Sequence, residues 1–231
     1  IQFPSAVPWL VSRVADIPAE NVRYHQTYLG GGFGRRGSPS HIIEAAEIAK
    51  ATGKPIQLVW TREDDIQQGP FRPASLMRIK AGIDNDGNLI AWDAARAGAD
   101  ISPDTFRSLL PALYSWMGDG MIEGVANLSE WYFEKFATDE SSTEGLFEDY
   151  DHPNTRVTHM TVDHELPMTF WRSVGHSYTA FAKESMIDEM AEAAGMDEVA
   201  FRLQNTQNTP RLNNVIRVAG EHMAKMNPPE G

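Results

Sequence analysis

The sequence predicts an α+β fold, with mixed sheets and packed helices, on three observations. Residues 75–98 alternate apolar and polar side chains about an Asp84-Asn85-Asp86-Gly87 turn, the pattern of a β-hairpin. Ser177–Ala194 carries Ile187, Met190, Ala191 and Ala194 at the spacing that lines one face of a helix. The strands are spread through the first two-thirds of the chain, and the last third is helical, so no regular strand–helix alternation runs throughout.

Taken in order, Val7–Ile17 predicts a short helix closed by Pro18, and Asn21–Leu29 (NVRYHQTYL) has the β-branched and aromatic alternation of a strand. A helix is expected from Ser38, with Ser38 as N-cap, Pro39 at the first position, and Ile42, Ala45, Ala46 and Ala49 on the buried face. Gly53 and Pro55 stop it, and Pro55–Trp60 (PIQLVW) predicts a second strand before the hairpin. Between Asp100 and Asp151, aromatic residues alternate with glycines and acids, and the pattern predicts an irregular insertion whose acidic end, Glu140–Asp151, is a solvated loop. Thr155–His164 returns to strand alternation, Gly195 ends the long helix, Asp197 caps another, and Arg211–Met223 predicts a last one. The expected organisation is a first α+β unit over 1–99, an acidic insertion over 100–150, and a strand-plus-helix part over 151–231.

Composition sets limits. Among 231 residues, 32 acids outweigh 20 bases for a formal charge of −12, which disfavours a nucleic-acid partner, because such surfaces concentrate Lys and Arg. Without cysteine the chain forms no disulfide, no thiolate zinc site and no cysteine-ligated iron–sulfur cluster, so a redox centre must be held otherwise or sit on a partner. The start, Ile1-Gln2-Phe3-Pro4, has neither an initiator Met nor a signal-peptide pattern, and the end is Pro-rich; the expectation is a piece of a longer polypeptide. The compartment, cytoplasmic or periplasmic, stays open.

The stretch Tyr28–Ser40 (YLGGGFGRRGSPS) is the richest in chemistry. Gly32 to Gly37 satisfies G-x-G-x-x-G between a predicted strand and a predicted helix, which keeps an NAD(P)-binding dehydrogenase domain open. That reading fits imperfectly: the helix starts after the third glycine, and the strand that follows the helix reaches no acid until Glu63. Ser38 stands where a P-loop needs Lys, and a purely structural glycine turn also accounts for the pattern. His152, His159, His164 and His176 have no metal-ligand spacing, and no nucleophile elbow is present. Arg172, set among aromatics in Thr169–Ser177 (TFWRSVGHS), calls for an anionic or oxo partner, or a local carboxylate.

Together GGGFGRR, GKPIQLVWTREDD with FRPAS, and FWRSVGHSYTAFAKESMIDEMAEAAG resemble the molybdenum-cofactor-binding large subunit of the xanthine dehydrogenase and aldehyde oxidase family. Within that family the chain resembles the large (beta) chains of the isoquinoline 1-oxidoreductase branch and their aldehyde dehydrogenase relatives. The resemblance runs from Gln2 to about Arg217, thinning between Asp100 and Asp149, and implies two-layer, sandwich-like cofactor-binding subdomains.

By that resemblance Gly31, Gly32, Phe33 and Gly34 approach the molybdopterin, Gln2 donates to an oxygen ligand of the metal, and Arg172 is the third contact. No residue here ligates the metal directly, and the family's catalytic glutamate lies beyond Gly231. Arg35-Arg36-Gly37 replaces the Gly-Lys-Glu of xanthine-oxidising relatives, which disfavours a purine. Val174 stands where those relatives carry a stacking aromatic. The implied cofactor is molybdenum–molybdopterin cytosine dinucleotide, expected to be absent from this piece alone. The implied activity is oxidation of an N-heterocycle or aldehyde with water as oxygen source. The implied partners are the remainder of the large subunit and a small subunit with two two-iron two-sulfur clusters, with a cytochrome as one candidate acceptor. A cofactor-free interaction module is the remaining alternative.

Overall fold

The computed structural model describes residues 1–114, 116–162 and 166–226, and divides them between two compact units interleaved along the chain. The first comprises Ile1–Ala74, Gly98–Ser142 and Thr161–Val174; the second comprises Ser75–Ala97, Thr143–Met160 and the chain from Gly175. Helices packed with a three-stranded sheet confirm the α+β class. Among the described residues no helix is long and apolar enough to cross a membrane.

The first unit is helical: α1 Val7–Ala15, α2 Ser40–Thr52, α3 Arg62–Gln68, α4 Ser102–Leu113 and α5 Asp119–Phe136, with the short α6 Glu140–Thr143 at its edge. α1 ends where Asp16 takes a left-handed φ of 56°, and Lys50 at the end of α2 reaches back 2.6 Å to its carboxylate. Left-handed backbone favours Gly, Asn and Asp, whose short side chains bond locally. α4 and α5 pack through Leu110, Ile122 and Ala126, and Arg107 joins them through Glu130 at 2.6 Å and Asn127 at 2.7 Å.

The second unit is a sheet with helices on one face. Strands β1 Ser75–Ile83, β2 Leu89–Gly98 and β3 Asn154–Thr161 lie in that order, and the helices are α7 His176–Ala194, α8 Glu198–Gln204 and α9 Pro210–Met223. β1 and β2 form the predicted hairpin, in which Asp84 Oδ1 accepts from the N–H groups of Asp86 and Asn88 and Gly87 supplies a φ of 80°. Asn154 meets Ile90 and Arg156 meets Asp93, so residue numbers rise together and β3 runs parallel to β2. Trp92 and Ala94 of β2 face Ile187 and Ala191 of α7 and Phe201 of α8 in a shared core. Buried Asn205 fastens the hairpin turn, accepting from Leu89 N–H at 2.7 Å and donating to Gly87 O at 3.1 Å. Left-handed Gly195 ends α7, and Asp197 caps α8 through Ala200 N–H, both as expected.

Five expectations need correction. Neither Asn21–Leu29 nor Pro55–Trp60 forms a strand. Each has strand composition, but a strand requires a neighbour to take its N–H and C=O groups, and no ladder among the described residues reaches either; Tyr28 and Val59 are 107% and 75% exposed. The helix expected from Ser38 begins at Ser40, with Pro39 as N-cap and no side-chain cap bond. The insertion over 100–150 is not irregular but carries α4, α5 and α6, whose seam becomes apparent only when the two long helices are set side by side. Its acidic end is not a plain solvated loop: Leu146 is fully buried, and its carbonyl accepts from Trp92 Nε1 at 2.7 Å. The end of the Thr155–His164 strand, with His164, falls outside the described residues.

Buried Asp139 holds the entry to α4. Its carboxylate accepts from Ile101 N–H at 2.7 Å, Ser102 N–H at 3.1 Å, and the Ser102 and Ser142 hydroxyls at 2.7 Å each. Burial alone would raise the Asp139 pKa, but these donors outweigh it and hold the group below its ordinary value near 3.8. A folded pKa below the unfolded one gives stability that is complete above the unfolded value and lost as pH falls through the folded one. Asp139→Asn is therefore expected to lower stability by about 1–3 kcal/mol at pH 7. The gap to the unsubstituted chain should narrow below about pH 4, as measured by urea unfolding across pH.

Candidate functional site

In the first unit, the glycine turn, the N-terminal segment and the Arg172 segment, remote in sequence, meet. Gly31 has a φ of 150°, Phe33 a left-handed φ of 52° and Gly34 a φ of 79°, after which Arg35–Gly37 makes one 3₁₀ turn. Left-handed φ is uncommon for a bulky residue, and such backbone persists where its surroundings fix it. Here the surroundings are the other two segments.

Gln2 N–H donates to Arg36 O at 2.9 Å, and a Cβ on Gly32 would stand 2.6 Å from Gln2 Cγ, Cδ and Oε1. The missing side chain of Gly32 is thus the space in which the Gln2 amide lies. Arg172 N–H in turn donates to Phe33 O at 2.8 Å. A Cβ on Gly34 would collide with the carbonyl of Phe170, so only glycine lets those backbones touch. Ser173 and Val174 take φ values of 73° and 39°, which gives the facing segment a left-handed stretch of its own.

Several groups at this junction lack partners among the described residues. Gly32, Phe33 and Gly34 donate no N–H to another backbone group, Phe33 is 59% exposed, and Arg172 is exposed with no carboxylate beside it. Trp171 Nε1 is buried without an acceptor. Sequence reasoning missed Arg72, which donates to Arg172 O at 2.8 Å and lies 5.6 Å from the centroid of the Trp171 ring. The FRPAS motif carries Arg72, but nothing in it indicates a partner 100 positions away. No group of three or more His, Asp or Glu side chains is placed to hold a metal ion among the described residues. The elements of a dinucleotide turn are not there either: among the described residues no strand leads into the glycines, and α2 starts only at Ser40.

The chain matches the model of the molybdopterin cofactor-binding domain over residues 1–100 and 130–206. It belongs to that family. It is 30% identical over 222 residues to the beta chain of isoquinoline 1-oxidoreductase from Brevundimonas diminuta, covering 95% of this chain and 26% of that protein. The molybdenum-binding subunit of an aldehyde oxidoreductase, PaoC, from Escherichia coli K12 is 28% identical over 202 residues, 87% of this chain and 23% of its own length. Among solved structures, quinoline 2-oxidoreductase from Pseudomonas putida 86 superposes with a TM-score of 0.63 at 16% identity, over 88% of this chain and 23% of that one, a likeness of fold. The chain thus spans about a quarter of the length of these proteins. The family match leaves out residues 101–129, which hold α4 and the first part of α5.

The residues at the junction fit a molybdopterin-type group. Glycines let the main chain approach a bulky anion, N–H groups without partners among the described residues on left-handed backbone suit anion binding, and Arg172 adds a positive charge beside them. If Gly34 is needed for the approach of Phe170, Gly34→Ala should lower stability by about 1–3 kcal/mol. It should also abolish hydrogen-exchange protection of the Arg172 amide. Gly30→Ala, whose Cβ would meet nothing within 4 Å, should lower stability by no more than about 1 kcal/mol. Denaturant unfolding with amide exchange measures both.

Proposed function

We propose that this chain forms one wall of the molybdopterin site in the large subunit of a molybdenum hydroxylase, with Gln2, Gly31, Gly32, Phe33, Gly34 and Arg172 as the cofactor contacts. The observation that carries the proposal is the convergence of Gln2 and Arg172 on the glycine turn. When bound, the cofactor supplies the two-electron oxidation and the insertion of an oxygen atom from water. The chain's own part is to bind and orient it. Donors fixed before reaction stabilise charge on oxygen without reorganising, and here the left-handed backbone of Phe33 and the hydrogen bond from Arg172 N–H fix them.

The substrate we propose is an N-heterocycle of isoquinoline type or an aldehyde. Arg35-Arg36-Gly37 supplies no carboxylate to a purine, and Val174 supplies no ring for stacking. The cofactor form proposed is the cytosine dinucleotide. Its electrons would leave through a small subunit with two two-iron two-sulfur clusters and then a cytochrome, in keeping with a chain that has no cysteine. The catalytic base and most contacts to the dinucleotide would come from the remainder of the large subunit.

Two measurements test this reading. Elemental analysis of the 231-residue chain purified alone should return far less than one molybdenum per chain. Within the longer subunit, Arg172→Ala and Gln2→Ala should each lower cofactor occupancy about tenfold, the loss expected for one charge-assisted hydrogen bond. Occupancy is measured by fluorescence of the released, oxidised pterin. Unchanged occupancy in both variants would remove the assignment.

A further inference from the structure

Next to the glycine turn, still within the first unit, lies a cavity of about 520 Å³ that the reading above does not use. Arg35 and Arg36 line it from the end of the turn, His41 from the start of α2, and Trp60, Thr61 and Arg62 from the entry to α3. Its volume is that of a small-molecule pocket. The charge balance inside is positive although the chain carries −12. Asp65 is shared between Arg35 at 3.5 Å and Arg62 at 3.3 Å, and Arg36 has no carboxylate partner among the described residues. Three guanidinium groups thus line the cavity with one carboxylate, which only two of them engage. His41 shows the same field: burial first, and the Arg36 charge next, hold its pKa below the ordinary imidazole value.

The remaining walls are apolar. Ala45, Leu58 and Val59 contribute aliphatic surface, and Val59 is 75% exposed. The Trp60 ring lines the cavity while its Nε1 is already satisfied by Glu44 at 2.9 Å. An ammonium or neutral ligand would meet uncompensated positive charge here, and a fully hydrated inorganic ion would leave the apolar walls unused. A guanidinium presents paired N–H donors that match the two oxygens of a carboxylate. We propose that this cavity binds a small organic carboxylate with an apolar body, its carboxylate held by Arg35 and Arg36 and its body against Leu58, Val59 and Trp60. The inference goes beyond the cofactor reading and does not rest on it, since the cavity is built wholly from this chain.

The test is isothermal titration of the 231-residue chain at low ionic strength with benzoate, with its neutral analogue benzamide, and with inorganic phosphate. Benzoate should bind saturably, and Arg36→Gln should weaken it about tenfold, as expected on losing one charge-assisted hydrogen bond. Arg36 pairs with no carboxylate that the substitution would strand, and circular dichroism checks that the variant is folded. Arg78→Gln, on β1 of the other unit, makes the same charge change and should leave binding unaltered. Equal binding of benzoate and benzamide, no effect of Arg36→Gln, an equal effect of Arg78→Gln, or tighter binding of phosphate than of benzoate would each overturn the proposal.

Discussion

The hydrogen bond from Arg172 N–H to Phe33 O, made possible by the bare α-carbon of Gly34, is the constraint on which the candidate site depends. It joins segments more than 130 positions apart and holds both in left-handed backbone. Neither segment would keep that conformation by local preference, because a phenylalanine and a valine each lose energy there. The strain resides in the contact itself. Moving either segment would release the other, so the geometry of Gln2, Phe33 and Arg172 is set as one unit rather than residue by residue.

What the sequence made legible was whatever is encoded locally. The Asp84–Gly87 turn bonds within five residues, Gly195 and Asp197 end and cap their helices within one turn, and the spacing of Ile187 and Ala191 is a property of one helix. Each was read correctly because the energy that fixes it depends only on neighbours in the chain. Asn21–Leu29 and Pro55–Trp60 show the limit of such reading. Their composition codes for strand, but a strand is a relation between two segments, and single-segment patterns cannot supply the second. The α4–α5 pair failed for the complementary reason. Its seam of Leu110, Ile122 and Ala126 is narrow, and the exposed Trp131, Tyr132 and Phe136 hide the helical period.

The site was legible in part. The glycines and the arginine attract attention by type, and family resemblance supplied Gln2, which no local rule singles out. Arg72 stayed hidden because its role is to hold a backbone carbonyl, a role many arginines could play and no motif specifies. The same holds for Trp171, whose buried Nε1, without an acceptor among the described residues, is a fact of packing.

Electrostatics ties these observations together. A chain with a formal charge of −12 repels anions at long range, yet an anionic cofactor is what the junction fits. The field of distant charges is screened within about 10 Å at ordinary salt, so only nearby groups decide whether an anion is held. Arg35, Arg36, Arg72 and Arg172 all lie on the segments that meet at the glycine turn or beside it. Positive charge is thus concentrated where left-handed backbone leaves N–H groups without partners among the described residues, and both favour the same sign of ligand at short range. Acidic residues elsewhere offer an anion nothing at long range, so under the proposed reading it is held only where guanidinium and main-chain donors converge.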